Sequence, residues 1–415
     1  MNKQPRILII DTQPYNKMVQ SRALESYFHQ FDYDNLAQVF SDARTPCKGH
    51  CKKLFQITDK RLFKARFSKK IKTGKVFLRD QLENEWKDMG QSSFKPKHKG
   101  PFYRLVRKWI WNKKYWDTTD LEDFVRDFKP DYIFVGFSKD FFVFDIAIHF
   151  AKKYDLPLIL SIADDYVFFD EYHGEPFNKK YRSTYLKTIQ ELMKMNVFCI
   201  FESEKIKQRY KKEFNVPGEV IYIASDIVPR KRNAYSLDGD WYYFGNLEFG
   251  RFDSINIIGR TLLERKIPNK IHVYSKDIHL INKKRCSPNV FLHDAVPYSV
   301  MMDLMEESNA LLIVEGFKEK DVRMVEYSLS TKVGDCIAFG KPIIAFGDKR
   351  CGAIDFLLEK KIGFVATNKM MLSEMIDEMF KLKRSYSFNQ QYLIALECFS
   401  LEQQSMNFLK LFEKK

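Results

Sequence analysis

Short apolar runs without polar alternation recur along the chain, separated by stretches in which apolar residues return every three or four positions. The first run is R-I-L-I-I-D at Arg6–Asp11. Asp131–Phe137, Leu156–Ala163, Val197–Glu202 and Val220–Ala224 follow. Runs of this kind suit parallel strands covered on both faces. Helical patterns such as Lys17–Phe31 and Phe141–Tyr154 intervene, so βαβ units are predicted. After Ile227 the stretch P-R-K-R-N reads as a linker, and a second series begins: Trp241–Phe244, Ile271–Tyr274, Ala310–Val314 and Pro342–Phe346. Two such series predict an α/β protein of two Rossmann-like domains facing each other across a cleft, at 1–227 and 228–398. Ligands are then expected beyond the carboxyl ends of the strands. Residues 399–415 hold a final amphipathic helix, Leu401–Glu413, and Thr45–Asp117 reads as an insertion in the first domain.

The densest candidate chemistry lies between Tyr327 and Gly347, Y-S-L-S-T-K-V-G-D-C-I-A-F-G-K-P-I-I-A-F-G. It reads as a polar loop, a short helix, a Gly-Lys-Pro turn and a buried strand. Ser330 and Thr331 are good N-cap residues, and the amides after them point out of the helix start. Such an end attracts phosphate. Lys332 adds a cation there, and Asp335, three residues on, shares its face. An ordinary capped helix packed on a strand is the competing reading at this point.

The run S-T-K-x-x-D followed by G-K-P-I-I resembles the nucleotide-sugar block of GT-B glycosyltransferases, in particular the retaining family 4 transferases of bacterial surface polysaccharide synthesis. Asp335 sits five residues before Gly340, the spacing of the second carboxylate in that family's E-x7-E motif. The resemblance implies that Asp335 holds the nucleotide ribose. The first glutamate's place is taken by Tyr327, with Glu326 beside it as the catalytic-side candidate. Gly245, Asn246 and Arg251 open the second domain in Y-Y-F-G-N-L-E-F-G-R, where similar enzymes set a Gly-rich loop and a basic residue against the diphosphate. Ser275 and Lys276 end the next strand and His293 the one after, both near the nucleotide by resemblance. Asp164 and Asp165 close an apolar strand of the first domain and are the acceptor-side catalytic candidates, against a plain helix-capping reading. Thr12, Gln13 and Tyr15 follow the first strand, where acceptors are often met.

Composition narrows the setting. No apolar run reaches the roughly 18–20 residues of a membrane span, and M-N-K-Q-P-R leads straight into a strand, so no signal peptide is expected. The 7 cysteines suit a reducing cytoplasm. Cys47, His50 and Cys51 lack a second ligand pair and are read as surface residues rather than zinc ligands. Asp238-Gly239-Asp240 matches a D-x-D metal motif but precedes a strand, and reads as a turn. No metal and no cofactor is expected; the donor substrate would be a nucleotide-diphosphate sugar, a UDP-sugar first. Net charge is +15, yet Lys48–Trp116 alone holds 21 Lys or Arg against 5 Asp or Glu. This segment interleaves aromatics, F-K-A-R-F at Phe63–Phe67 and Y-R-L-V-R-K-W-I-W-N-K-K-Y-W at Tyr103–Trp116, which suits an anionic membrane surface. A solvated helical insertion is the competing reading, and no nucleic-acid motif is present.

The sequence therefore predicts a cytoplasmic glycosyltransferase, peripheral on the inner face of the cell membrane. It would pass a sugar from a nucleotide diphosphate to a growing, lipid-linked glycan. A nucleotide-sugar epimerase of the same fold and a non-catalytic binding protein are the alternatives.

Overall fold

The computed structural model describes residues 4–15, 21–68, 70–84, 99–282, 286–381 and 386–413. Residues 17–20 of the expected first helix, and 69 and 85–98 of the basic segment, lie outside the described residues. The chain divides into two compact units, one of Met1–Ile221 with Ser405–Lys415 and one of Tyr222–Gln404.

The first unit is built on β1 (Ile7–Ile10), β2 (Leu36–Phe40), β3 (Lys53–Ile57), β4 (Gly74–Leu78), β5 (Tyr132–Gly136), β6 (Leu158–Ile162), β7 (Val197–Phe201) and β8 (Gly218–Val220). They form one sheet in the order β4-β3-β2-β1-β5-β6-β7-β8. All neighbours run parallel except β3 and β4. Ile7 pairs with Leu36 on one side and Tyr132 on the other, which makes the β1–β5 boundary the point where strand order reverses. The apolar runs are buried on both faces, as uninterrupted Val, Ile and Leu require. The expected strand Val220–Ala224 is displaced: pairing with β7 ends at Val220, and the chain leaves the sheet there. The stretch expected as an insertion contributes β3 and β4 to the sheet edge. Polar residues hid them: Lys53 and Gln56 interrupt the apolar run of β3, and β4, with Lys75, is an edge strand that does not need one.

Cys47 and Cys51, expected at the surface, are buried in this edge, and His50 stacks on Tyr15 at 4.6 Å. Tyr15 itself is core rather than acceptor-facing: its hydroxyl donates to Glu25 at 2.9 Å. The loop carrying Thr12 and Gln13 is pinned by buried Gln38, which accepts from the Tyr15 amide and donates to the Gln13 carbonyl. In the basic segment, Trp111 and Trp116 are interior. Trp111 lies against Phe142 at 3.8 Å and donates to Asp59, and Trp116 donates to the Trp111 carbonyl. Arg104 and Arg107 also turn inward, to Asp140 and Asp59.

The second unit holds β9 (Trp241–Phe244), β10 (Ile271–Tyr274), β11 (Val290–His293), β12 (Ala310–Val314), β13 (Ile343–Phe346) and β14 (Phe364–Ala366). They are ordered β11-β10-β9-β12-β13-β14, all parallel, which is the doubly wound Rossmann order. One face is covered by the helices Arg251–Glu264 and Lys369–Lys381, through Ile255, Leu262, Leu372 and Ile376. Val333, Ile337, Ile354, Leu357 and Phe399 pack on the other side of β13.

Candidate functional site

A cavity of about 290 Å³ opens at the carboxyl ends of β9, β10 and β12, where the strand order of the second unit reverses. Open α/β sheets place ligands at this position because the loops on either side diverge there. The sequence builds its walls from three strand ends and one helix start.

After β9 the chain turns through Gly245, whose φ of +151° is open to glycine and strained for other residues. The same glycine leaves room for a neighbour. A Cβ there would sit 2.4 Å from Lys332 Nζ, so the lysine runs directly across the turn. Lys332 Nζ donates to the Tyr243 hydroxyl at 3.3 Å, and Tyr243 in turn donates to the Asn246 carbonyl at 2.6 Å. The amide of Leu247 donates to Asp277 at 3.0 Å, which ties the β9 turn to the loop after β10. Ser275 and Lys276 line the cavity from that loop.

The helix Thr331–Phe339 starts at Ser330, in extended conformation, and stops at Gly340 in the left-handed region (φ +84°). Lys332 and Asp335, three residues apart on one helix face, line the cavity together with Ser330 at the helix start. Thr331 begins the helix beside them. Asp335 accepts from the Ser225 hydroxyl at 2.7 Å, and that hydroxyl accepts from the Ile227 amide, so the carboxylate is fixed to the segment entering the unit. Burial first, and the nearby Arg251 guanidinium second, push the Lys332 pKa down to about 8.

Arg251 occupies a different place from the one expected of a diphosphate ligand. It is buried at the start of the helix Arg251–Glu264 and forms a two-pronged pair with Glu315, Nε to Oε2 at 2.9 Å and Nη2 to Oε1 at 3.0 Å. Its third nitrogen donates to the Asn246 side chain. The cavity wall receives Glu315 and Asn246 from this network, and Arg251 stands behind them. Glu315 is not among the residues the sequence points to, though an acid ending the apolar run Ala310–Val314 is a visible signal. Glu326 caps the end of the helix Glu319–Val325 and is not among the residues lining the cavity. Ser225 had no signal in the sequence.

The other end of the cavity is apolar, with Phe244, Tyr274, Val296, Met301 and Met305. Phe244 and Tyr274 are paired in register on β9 and β10 and stack at 5.2 Å. His293, on β11, stacks on Tyr274 at 4.6 Å rather than lining the cavity. His272 bridges it to Asp240: His272 Nδ1 and His293 Nε2 are 2.9 Å apart, and His272 Nε2 is 3.1 Å from Asp240 Oδ2. Burial and then His272 push the His293 pKa down. Asp240 is thus engaged with a histidine, and Gly239 before it has φ +139°.

In the first unit Asp165 accepts the amides of Val167 (3.0 Å) and Phe168 (2.7 Å), and Asp164 accepts from the Tyr166 hydroxyl at 2.9 Å. Burial raises the Asp165 pKa, opposed by those two amides.

The chain matches no protein-family model and no curated protein. It is similar to solved structures along its full length. Sucrose-phosphate synthase from Thermosynechococcus elongatus aligns with a TM-score of 0.60 at 10% identity over 99% of both chains. HepE of Anabaena in complex with UDP aligns with a TM-score of 0.57 at 11% identity over 99% of this chain and 100% of that one. A glycosyltransferase from Rickettsia africae aligns with a TM-score of 0.54 at 14% identity over 100% of this chain and 99% of that one. Together with the two Rossmann-like sheets, these likenesses give the chain the GT-B fold.

Proposed function

We propose that the protein is a glycosyltransferase that binds a nucleotide-diphosphate sugar, a UDP-sugar first, in the cavity of its second unit. One observation carries this reading: the Lys332 ammonium lies across the Gly245 turn, with Asp335 on the same wall, at the switch point of a doubly wound sheet. A cation and helix-start amides offer a diphosphate its counter-charge, and a carboxylate suits ribose hydroxyls. The apolar end with Phe244 and Tyr274 suits a flat base. Among the solved relatives, HepE has been captured with UDP and with UDP-glucose.

Lys332 and the helix start would stabilise the departing diphosphate with no metal in the step. Arg251 acts at one remove, by holding Asn246 and Glu315 in place. The carboxylates of the Asp164–Asp165 loop are the groups assigned to the acceptor side, Asp165 also fixing its own loop, and Glu326 remains the catalytic candidate of the nucleotide-sugar block. We assign a retaining hexosyl transfer to a growing lipid-linked glycan of surface polysaccharide, made by an enzyme held at the inner face of the membrane. The attachment in this reading is peripheral; among the described residues no helix is long and apolar enough to cross a membrane.

Titration calorimetry with UDP tests the donor site. Lys332→Ala should weaken binding about ten- to a hundred-fold, from loss of a charged hydrogen bond worth about 1.5–3 kcal/mol. Asp335→Asn should weaken UDP but leave inorganic diphosphate unchanged. Unaltered UDP affinity in both variants would remove the site from this cavity.

A further inference from the structure

The helix Pro101–Ile110 carries its polarity the wrong way round for a soluble surface. Arg104 is 8% exposed, donating to Tyr172 at 3.1 Å and paired with Asp140 at 3.0 Å. Arg107 is paired with Asp59 and Asp140 on the same inner side. Phe102 (59% exposed), Val106 and Trp109 (52%) face outward instead. Their spacing of four and three residues makes one continuous stripe. At one end Phe102 packs on Phe177, which is 56% exposed and holds φ +65°, a conformation phenylalanine rarely takes. At the other end the Arg66 guanidinium covers the Trp109 ring at 3.5 Å, and Phe67 beyond it is 76% exposed. The buried arginines are compensated by their carboxylate partners, whereas the exposed aromatic stripe is left facing water and marks a surface that something apolar covers.

We propose that this stripe inserts into the headgroup layer of an anionic lipid bilayer, with Phe102 and Trp109 as the inserted rings. The inference rests on the membrane-side reading above and assigns it a surface. Charge singles out the occupant. Lys60, Lys64, Lys113, Lys179 and Lys180 stand exposed on the short helix that follows it, Lys113–Trp116, and on the two helices packed against it, Asp59–Ala65 and Asn178–Met193, where they can reach phosphate headgroups. A convex aromatic stripe bordered by lysines is the arrangement of an interfacial helix. Arg104 and Arg107, by contrast, are structural and take no part in headgroup binding, despite lying in the middle of the basic segment. Insertion also changes the expected salt response. Lysine attraction fades within a Debye length of ~8–10 Å at ordinary salt, whereas buried rings remain held.

The experiment is co-sedimentation of the full chain with phosphatidylglycerol–phosphatidylcholine vesicles, against phosphatidylcholine alone, at low and high salt. A Phe102→Ser/Trp109→Ser variant, both positions exposed, is run beside it, with UDP calorimetry as a check on folding. Wild type should bind the anionic vesicles, keep part of that binding at high salt, and show Trp fluorescence quenched by brominated lipid. The double variant should bind about ten-fold or more weakly, from losing two inserted rings, with UDP affinity unchanged. Equal vesicle binding by variant and wild type would overturn the stripe while leaving the membrane reading intact. Failure of wild type to bind any vesicle would overturn both. A wild-type dimer in solution that the double variant disperses would overturn the lipid assignment in favour of a second copy.

Discussion

At the scale of single residues, Lys332 sets the site's chemistry through its surroundings. Its ammonium is pressed by burial and by Arg251, and only partly relieved by Glu315. A lysine with pKa about 8 is mostly charged at neutral pH and mostly neutral near pH 9–10. A diphosphate arriving beside it would favour the charged form and raise that pKa, so binding draws in a proton. The sign follows: UDP affinity should hold below pH 8, fall as pH rises through about 8 to 10, and level off once the lysine is neutral. Arg251 stays charged throughout, and burial moves the Tyr243 hydroxyl further up, so neither supplies a second step. Calorimetry in buffers of different ionisation heat should show proton uptake in wild type above pH 7.5 or so and none in Lys332→Ala. A flat profile would mean that the ammonium does not meet the ligand. Which residues wall the cavity was only half legible in the sequence. Lys332, Asp335 and Gly245 stood out because a helix start and a glycine turn have local signatures. The Arg251–Glu315 pair did not, since it joins residues from a helix start and a strand end that only the folded sheet brings together.

At the scale of elements, the helix Thr331–Phe339 is set by what it leans on. Gly334 faces the helix Phe388–Phe399 so closely that a Cβ would lie 2.7 Å from the Phe399 ring. That ring is buried and has little room to retreat. Gly334→Val should therefore cost about 1–3 kcal/mol of stability by overpacking, despite valine's better helix propensity than glycine. It should also weaken UDP binding, because Lys332 and Asp335 ride on the displaced helix. Urea unfolding followed by UDP calorimetry measures both; an unchanged midpoint would show that the two helices have slack between them. Strands made of unbroken apolar runs were the most legible elements. β9, β10 and β12 fall on the predicted boundaries because their apolar runs end in turns. β2 and β3 escaped because Gln38, Lys53 and Gln56 interrupt their apolar runs, β4 because an edge strand needs no such run, and β14 because Phe364–Ala366 is too short to show a period.

At the scale of the whole chain, the covalent path ties the two units twice. The chain leaves the first unit after Ile221 and returns at Ser405. The returning segment is not decoration on the first unit but part of its core. Phe408 is wholly buried, its ring 5.1 Å from Phe28, 5.5 Å from Tyr27 and 5.6 Å from Phe31. Ser405 accepts the Gln30 amide at 3.0 Å alongside it. Removing such a ring typically costs about 3–5 kcal/mol, since the aromatic cluster cannot close over the gap. Phe408→Ala should thus lower the stability of the first unit by that amount, although the residue lies near the end of the chain. Among the described residues, those lining the cavity proposed for UDP all belong to the second unit, so UDP affinity at a temperature where both units are folded should not change. UDP at a hundred times its dissociation constant adds about 2.7 kcal/mol to whatever unit binds it. In scanning calorimetry the variant should therefore lower one transition, and UDP should raise the other. If the substitution and the nucleotide moved a single common transition instead, the units would unfold as one body and the stability of each could not be assigned separately.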